Sequence, residues 1–100
     1  MTLVLAGVFR VPPAQVEALR PHMLAVMAAS RAEPGCREYA YAEDVAEPGM
    51  IRVFEVWTDQ AALDAHFARP HMAAWQAARE AHGFHARDLC VYQVAGERKI

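Results

Sequence analysis

Leu3-Val4-Leu5-Ala6-Gly7-Val8-Phe9-Arg10-Val11 is the stretch from which the fold can be read. In an extended chain successive side chains point to opposite faces. Leu3, Leu5, Gly7, Phe9 and Val11 then share one face, and Val4, Ala6, Val8 and Arg10 share the other. Both faces are apolar over most of their length, which marks a central strand covered on both sides. The rest of the chain has to supply the cover.

Pro12-Pro13 ends the strand and opens a helix, because proline is well tolerated in a first helical turn. From Ala14 to about Ala32, Val16, Leu19, Met23, Val26 and Met27 recur at helical spacing and form one apolar stripe. Pro21 removes a backbone donor inside this run. It predicts a kink, or a helix whose regular part begins near Pro21. Glu33-Pro34-Gly35 is a breaker. Cys36 to Val45 then alternates, with Tyr39 and Tyr41 on one side and Glu38, Ala40 and Ala42 on the other. Glu47-Pro48-Gly49 turns the chain into residues 50–57, where Ile51, Val53, Glu55 and Trp57 oppose Arg52, Phe54 and Val56. These two strands read as an antiparallel hairpin. Thr58 or Asp59 caps a short helix carrying Ala62, Leu63, His66 and Phe67. Pro70 restarts the helix, with Met72, Trp75, Ala78, Arg79 and His82 at helical spacing, and Gly83 ends it. A last strand runs from about Ala86 to Val94, and the polar tail from Gly96 is loose unless it reaches a neighbour.

The order β-α-β-β-α-β predicts an α+β fold of ferredoxin-like topology, one domain over residues 1–100. Such split βαβ units give a four-stranded antiparallel sheet with both helices on one face. Of the 100 residues, 55% are hydrophobic, a rich supply for a domain whose own core is modest. Apolar surface therefore stays exposed or is covered by a second copy, and a homodimer is expected. A net charge of -2 and no basic stripe leave nothing to attract a phosphate backbone, so nucleic acid is not an expected partner. Met1-Thr2-Leu3-Val4-Leu5 has no basic region and soon meets Arg10, and no apolar run is long enough to span a bilayer. Neither a signal peptide nor a membrane is expected. Cys36 and Cys90 lie far apart and form no metal or redox pair, which suits free buried thiols in a cytoplasmic protein.

The chain carries 5 histidines. His66 lies beside the inward stripe of Ala62, Leu63 and Phe67 and reaches the space between helix and sheet. His71 and Trp75 are four apart and share a helical face. The two histidines either fix the break at Pro70 or line a pocket. In a pocket a neutral imidazole, with an unperturbed pKa of about 6.5, moves a proton. His82 and His85 bracket the helix end at Gly83, where positive charge is favoured, and make no metal site by themselves. His22 faces solvent. Tyr39, Tyr41, Phe54, Trp57 and Trp75 are core, or a wall for a flat aromatic ligand. Arg52 and Glu55 sit mid-strand on opposite faces among apolar neighbours, where charges are rarely left unpaired. Glu55 pairs within a dimer interface or lines a cavity. The motifs of dinucleotide binding, P-loop chemistry, serine hydrolysis and zinc proteolysis are all missing.

Ser30-Arg31-Ala32-Glu33-Pro34-Gly35-Cys36, then Tyr39, then Phe54-Glu55-Val56-Trp57-Thr58-Asp59 resemble the antibiotic biosynthesis monooxygenase family. Ala62-Leu63-Asp64-Ala65-His66-Phe67-Ala68-Arg69-Pro70-His71-Met72 fits the same pattern, so the resemblance covers nearly the whole chain. It is closest to the small stand-alone members described as quinol monooxygenases. The resemblance implies a dimeric α+β barrel, two sheets packed face to face, with a pocket between each sheet and its helices. It implies oxidation of a quinol or polyphenol by molecular oxygen with no metal, flavin or haem, although other members degrade haem or have no assigned reaction. The haem-degrading branch carries an asparagine in the first strand and a haem-ligating histidine in the last helix. Gly7 and Trp75 stand in those regions here, so haem breakdown is not expected.

The site expected on this reading has His66 as the base, with His71 orienting a substrate hydroxyl or taking a second proton. Tyr39 and Trp75 form the aromatic wall, and Arg52 stabilises a phenolate. A dimer that only binds a small hydrophobic molecule, and a proton-transfer isomerase on the same fold, are the other readings.

Overall fold

Alternation and breakers cut the chain into the elements of the computed structural model, which describes every residue from Met1 to Ile100. Strand β1 (Leu3–Arg10) is followed by a single 3-10 turn, Pro13–Gln15, and helix α1 (Val16–Arg31). Strands β2 (Cys36–Glu43) and β3 (Met50–Trp57) form a hairpin. Helices α2 (Gln60–Phe67) and α3 (Pro70–Ala81) lead into strand β4 (His85–Gln93). The sheet is four-stranded, in the order β2-β3-β1-β4, with every neighbour antiparallel. With three helices it is a ferredoxin-like α+β fold.

The periodicity of each strand decides its buried face. Leu3, Leu5 and Phe9 of β1 join Ile51, Val53 and Trp57 of β3 and Tyr39 of β2 in one buried cluster. Val11 just after β1, Val16, Leu19, Met23 and Val26 of α1, Leu63 of α2, and Met72 and Trp75 of α3 complete it. Each such side chain stabilises the fold by about 1.5–3 kcal/mol relative to exposure. The other face of the sheet has no cover within the chain. Val4, Ala6 and Val8 are half-buried there, while Phe54 is 42% and Tyr92 55% exposed. The cover inferred from β1 is thus present on one side only.

Other expectations need correction. Helix α1 runs unbroken from Val16 through Pro21. The preceding 3-10 turn, closed by Gln15 N–H to the Pro12 carbonyl at 2.8 Å, starts it early, and Pro21 lies on its exposed side. Strand β2 stops at Glu43 because the Asp44 carboxylate accepts the Ala46 and Glu47 amides (3.0 and 2.8 Å) and bends the chain out of the ladder. Cys90 is exposed rather than buried, because it lies on the uncovered face of an edge strand. Asp59, not Thr58, caps α2, accepting the Ala62 amide at 2.8 Å.

Two local features fix what lies between sheet and helices. At Gly35 a β-carbon would collide with the Ala62 side chain, so the loop before β2 lies directly on α2. Between β1 and β4 the register shifts at Val8/Arg10. Gly7 has φ +151°, and a β-carbon there would collide with the Asp88 carbonyl, while Ala86 sits in the left-handed region at φ +51°.

Candidate active site

Leu5 of β1 and Tyr39 of β2 both pair with Glu55 of β3, so the three form a row across the helix side of the sheet. Above this row, between the sheet and helices α2 and α3, lies a cavity of about 100 Å³. Its lining is mostly aromatic and aliphatic. Phe9 and Tyr41 meet edge to face at 5.6 Å, and Tyr41 and Trp75 are 5.5 Å apart. The volume approaches the ~150 Å³ known to accept a benzene ring. Towards solvent the cavity meets a wider hollow of about 500 Å³, and Arg79, Phe84 and Arg87 line both.

His66 enters from α2 and is 1% exposed. Its Nδ1 lies 2.7 Å from Glu33 Oε2, and His71 Nε2 lies 2.9 Å from the same oxygen. Arg69 Nε donates to Glu33 Oε1 at 3.2 Å. Burial raises the Glu33 carboxyl, but the two histidine hydrogen bonds outweigh it and hold the group below its ordinary range. A carboxylate only accepts, so each histidine presents an N–H to it. That places the His66 proton on Nδ1 and leaves Nε2 as a free lone pair, with no partner within the chain. Burial pushes the imidazole below its ordinary value, against the pull of Glu33, and so favours this neutral form. An imidazole oriented by a buried carboxylate and open at its second nitrogen is the arrangement of a general base.

Glu55 is the second titratable group in the cavity. It is 4% exposed, and its one hydrogen bond is accepted from Trp57 Nε1 at 3.0 Å. Burial, partly offset by that bond, pushes its carboxyl up to about 7. The Tyr39 and Tyr41 hydroxyls are 2.8 Å apart, and burial drives both well above the ordinary phenol range.

Of the residues expected at a site, His66, Tyr39 and Trp75 line this cavity. His71 does not. It lies beside a small hollow between α1 and α3 that His22, Val26 and Trp75 also line; it shares Glu33 with His66, and the two rings are 6.0 Å apart. Arg52 is on the opposite face of the sheet, ion-paired with Asp44 at 2.8 Å, because alternation along β3 turns it away from Glu55. Glu33, Glu55 and the two arginines are what the expected set lacked. Glu33, His66 and His71 offer three ligand atoms within 4.8 Å of one another and are the groups that could hold a metal ion. The guanidinium of Arg69 on the same carboxylate opposes one. His82 Nδ1 bonds Gln15 Oε1 at 2.9 Å, and His85 Nδ1 bonds the Gly83 carbonyl at 2.8 Å.

Residues 2–78 match the model of the family described as antibiotic biosynthesis monooxygenase. Rv0793 from Mycobacterium tuberculosis superposes with a TM-score of 0.86 at 27% identity, over 99% of this chain and 100% of that one. PA3566 from Pseudomonas aeruginosa gives 0.79 at 28% identity, over 97% and 95%. The uncharacterized protein sll1783 of Synechocystis is 39% identical over 69% of this chain, which spans 47% of that relative's length.

Proposed function

Because the chain belongs to the antibiotic biosynthesis monooxygenase family, we propose that its cavity oxidises a single-ring quinol or polyphenol with molecular oxygen. The observation that carries the reading is the buried Glu33–His66 pair, with His66 Nε2 unpartnered in an aromatic-lined cavity. His66 Nε2 takes the proton of a substrate hydroxyl. The electron-rich phenolate reduces oxygen, a ring C–O bond forms, the O–O bond breaks and water leaves. A quinol and dioxygen thus give a hydroxyquinone and water, the substrate supplying all four electrons. The reading therefore needs no metal, flavin or haem. Tyr39 and Trp75 hold the ring, and a ring seated there displaces water from the cavity, which strengthens the few polar contacts made inside. His71 acts through Glu33, fixing the carboxylate that orients His66.

Oxygen uptake with hydroquinone tests this. Wild type should exceed autoxidation, and His66→Asn should lower the rate by about 10²–10⁴-fold, the usual general-base contribution. A wild-type rate equal to autoxidation removes the oxygenase reading. Full activity in His66→Asn removes only the base.

Glu55, facing the same cavity, favours a second reading. A carboxyl titrating near neutrality opposite a neutral imidazole suits moving a proton between two carbons, as an isomerase does. Substrate turnover without oxygen consumption would select it. A third reading is a protein that binds a small hydrophobic molecule without turning it over.

The assembly belongs to the same proposal. The uncovered face bearing Val4, Ala6, Val8, Phe54, Val56 and Tyr92 suits packing against its own copy as a dimeric α+β barrel, which leaves one cavity on the outer side of each sheet. Light scattering at micromolar concentration should give a dimer, and a stable monomer would refute it. No helix is long and apolar enough to cross a membrane. The two free cysteines suit the reducing cytoplasm, where we place the protein.

A further inference from the structure

The arginines of this chain divide sharply. Arg10, Arg20, Arg37, Arg52 and Arg69 each meet a carboxylate, and Arg31 donates to the Tyr39 carbonyl at 2.8 Å. Arg98 lies in the tail beyond β4. The two that remain, Arg79 and Arg87, have no hydrogen bond or ion pair in the chain, and both line the mouth of the cavity. We propose that the substrate of this cavity is a single-ring aromatic acid, whose carboxylate is held by Arg79 and Arg87 while the ring enters between Tyr39 and Trp75. The proposal rests on the reading of this cavity as the substrate site and adds the anion to it.

Three observations carry it. Arg79 is half-buried, with its guanidinium carbon 4.5 Å above the Phe84 ring, so it is held over an apolar surface rather than free in solvent. Placing an unpaired cation there is costly, and burial and the like charge of Arg87 both depress it. Arg87 is placed by the alternation of β4. It shares the face of Leu89, which lines the same cavity, and the left-handed Ala86 with the register shift beside it ends the regular ladder there. Finally, no carboxylate forms an ion pair or hydrogen bond with either arginine. Glu80 lines the outer hollow beside them and supports the Arg79 charge only from a distance, and Glu55, inside the cavity, bonds Trp57. A carboxylate that bridges the arginines removes their mutual repulsion and matches their planar forks. In a dimer joined through the uncovered face, both arginines stay on the helix side, clear of the partner.

The test measures binding to the intact protein by calorimetry, using gentisate (a hydroquinone bearing one carboxylate) and its methyl ester. Gentisate should bind wild type about tenfold or more tighter than the ester. That preference should fall to near unity in Arg79→Gln and by severalfold in Arg87→Gln, whose exposed position makes misfolding no explanation. Equal binding of acid and ester, no binding of gentisate, or a preference that survives both substitutions overturns the proposal. Oxygen uptake on the same samples separates the two readings. Arginine-dependent binding of gentisate without uptake upholds the anion site and removes the oxygenase. Uptake on hydroquinone with no preference for the acid does the reverse.

Discussion

Glu55→Gln isolates the one carboxyl that the fold holds near neutrality. Burial raises it from 4.5 to about 7, so between those values the native protein keeps a proton that the unfolded chain has released. Stability from this group is full below pH 4.5 and falls as the pH rises, levelling off above about 7. At about 1.4 kcal/mol per pH unit, the window is worth about 3 kcal/mol. Glutamine keeps an oxygen to accept the Trp57 indole N–H and cannot ionise. The variant should therefore match wild type near the low end of the window and exceed it by about 3 kcal/mol above the high end. His66 has the opposite slope, because its buried imidazole is depressed and gains stability as pH rises, but it is common to both proteins and cancels in the difference. Urea unfolding followed by the fluorescence of buried Trp57 and Trp75 reads the difference, at one fixed protein concentration because a dimer's stability depends on it. A difference that is flat with pH, or that favours wild type as pH rises, refutes the reasoning.

Other substitutions probe other parts of the argument. Gly7→Ala places a methyl group against the Asp88 carbonyl in a backbone conformation that L-residues avoid. It should cost more than about 2 kcal/mol in denaturant unfolding and loosen β4 first, seen as faster amide exchange at Leu89 and Val91. Glu33→Ala leaves His66, His71 and Arg69 without their common acceptor, and a loss of about 3 kcal/mol is expected, with a larger loss of turnover than His71→Ala. Phe54→Lys puts a charge on the uncovered face and should shift the protein to monomer by light scattering while the monomer stays folded by circular dichroism.

Strand faces were legible because a period of two leaves little choice. Ile51, Val53, Glu55 and Trp57 point inward, and Phe54 and Val56 outward, as their alternation requires. The same alternation explains Arg52. A mid-strand charge among apolar neighbours drew it into the expected site, yet it sits opposite Glu55, answered by Asp44 on the hairpin's own loop. His66 was marked by the inward stripe of α2. Its partner was not, because Glu33 reads as part of a helix breaker 33 residues away, and the two meet through tertiary contacts, the seating of Gly35 on Ala62 and the Thr58 amide bonded to the Gly35 carbonyl. Arg79 and Arg87 escaped notice for a similar reason. Each looks like an ordinary surface charge on its own element, and nothing in the composition shows that α3 and β4 bring the two to one cavity mouth.

The position of β1 in the sheet sets an order of assembly. Leu3 pairs with Trp57 on one side and with Gln93 on the other, so β1 is fully paired only once both of these distant strands are in place. The β2–β3 hairpin and the helices have local contacts and form early, whereas β1 waits for both distant partners. During that wait Leu3–Phe9 is an apolar, uncharged, proline-free strand of the kind that self-associates. Arg10 and Pro12-Pro13 follow it directly, a charge and two breakers at the end of the dangerous run. A chain without β4 therefore leaves one side of β1 unpaired and lacks the Arg87 and Leu89 wall of the cavity, so the cover of that strand edge and the binding site arrive together.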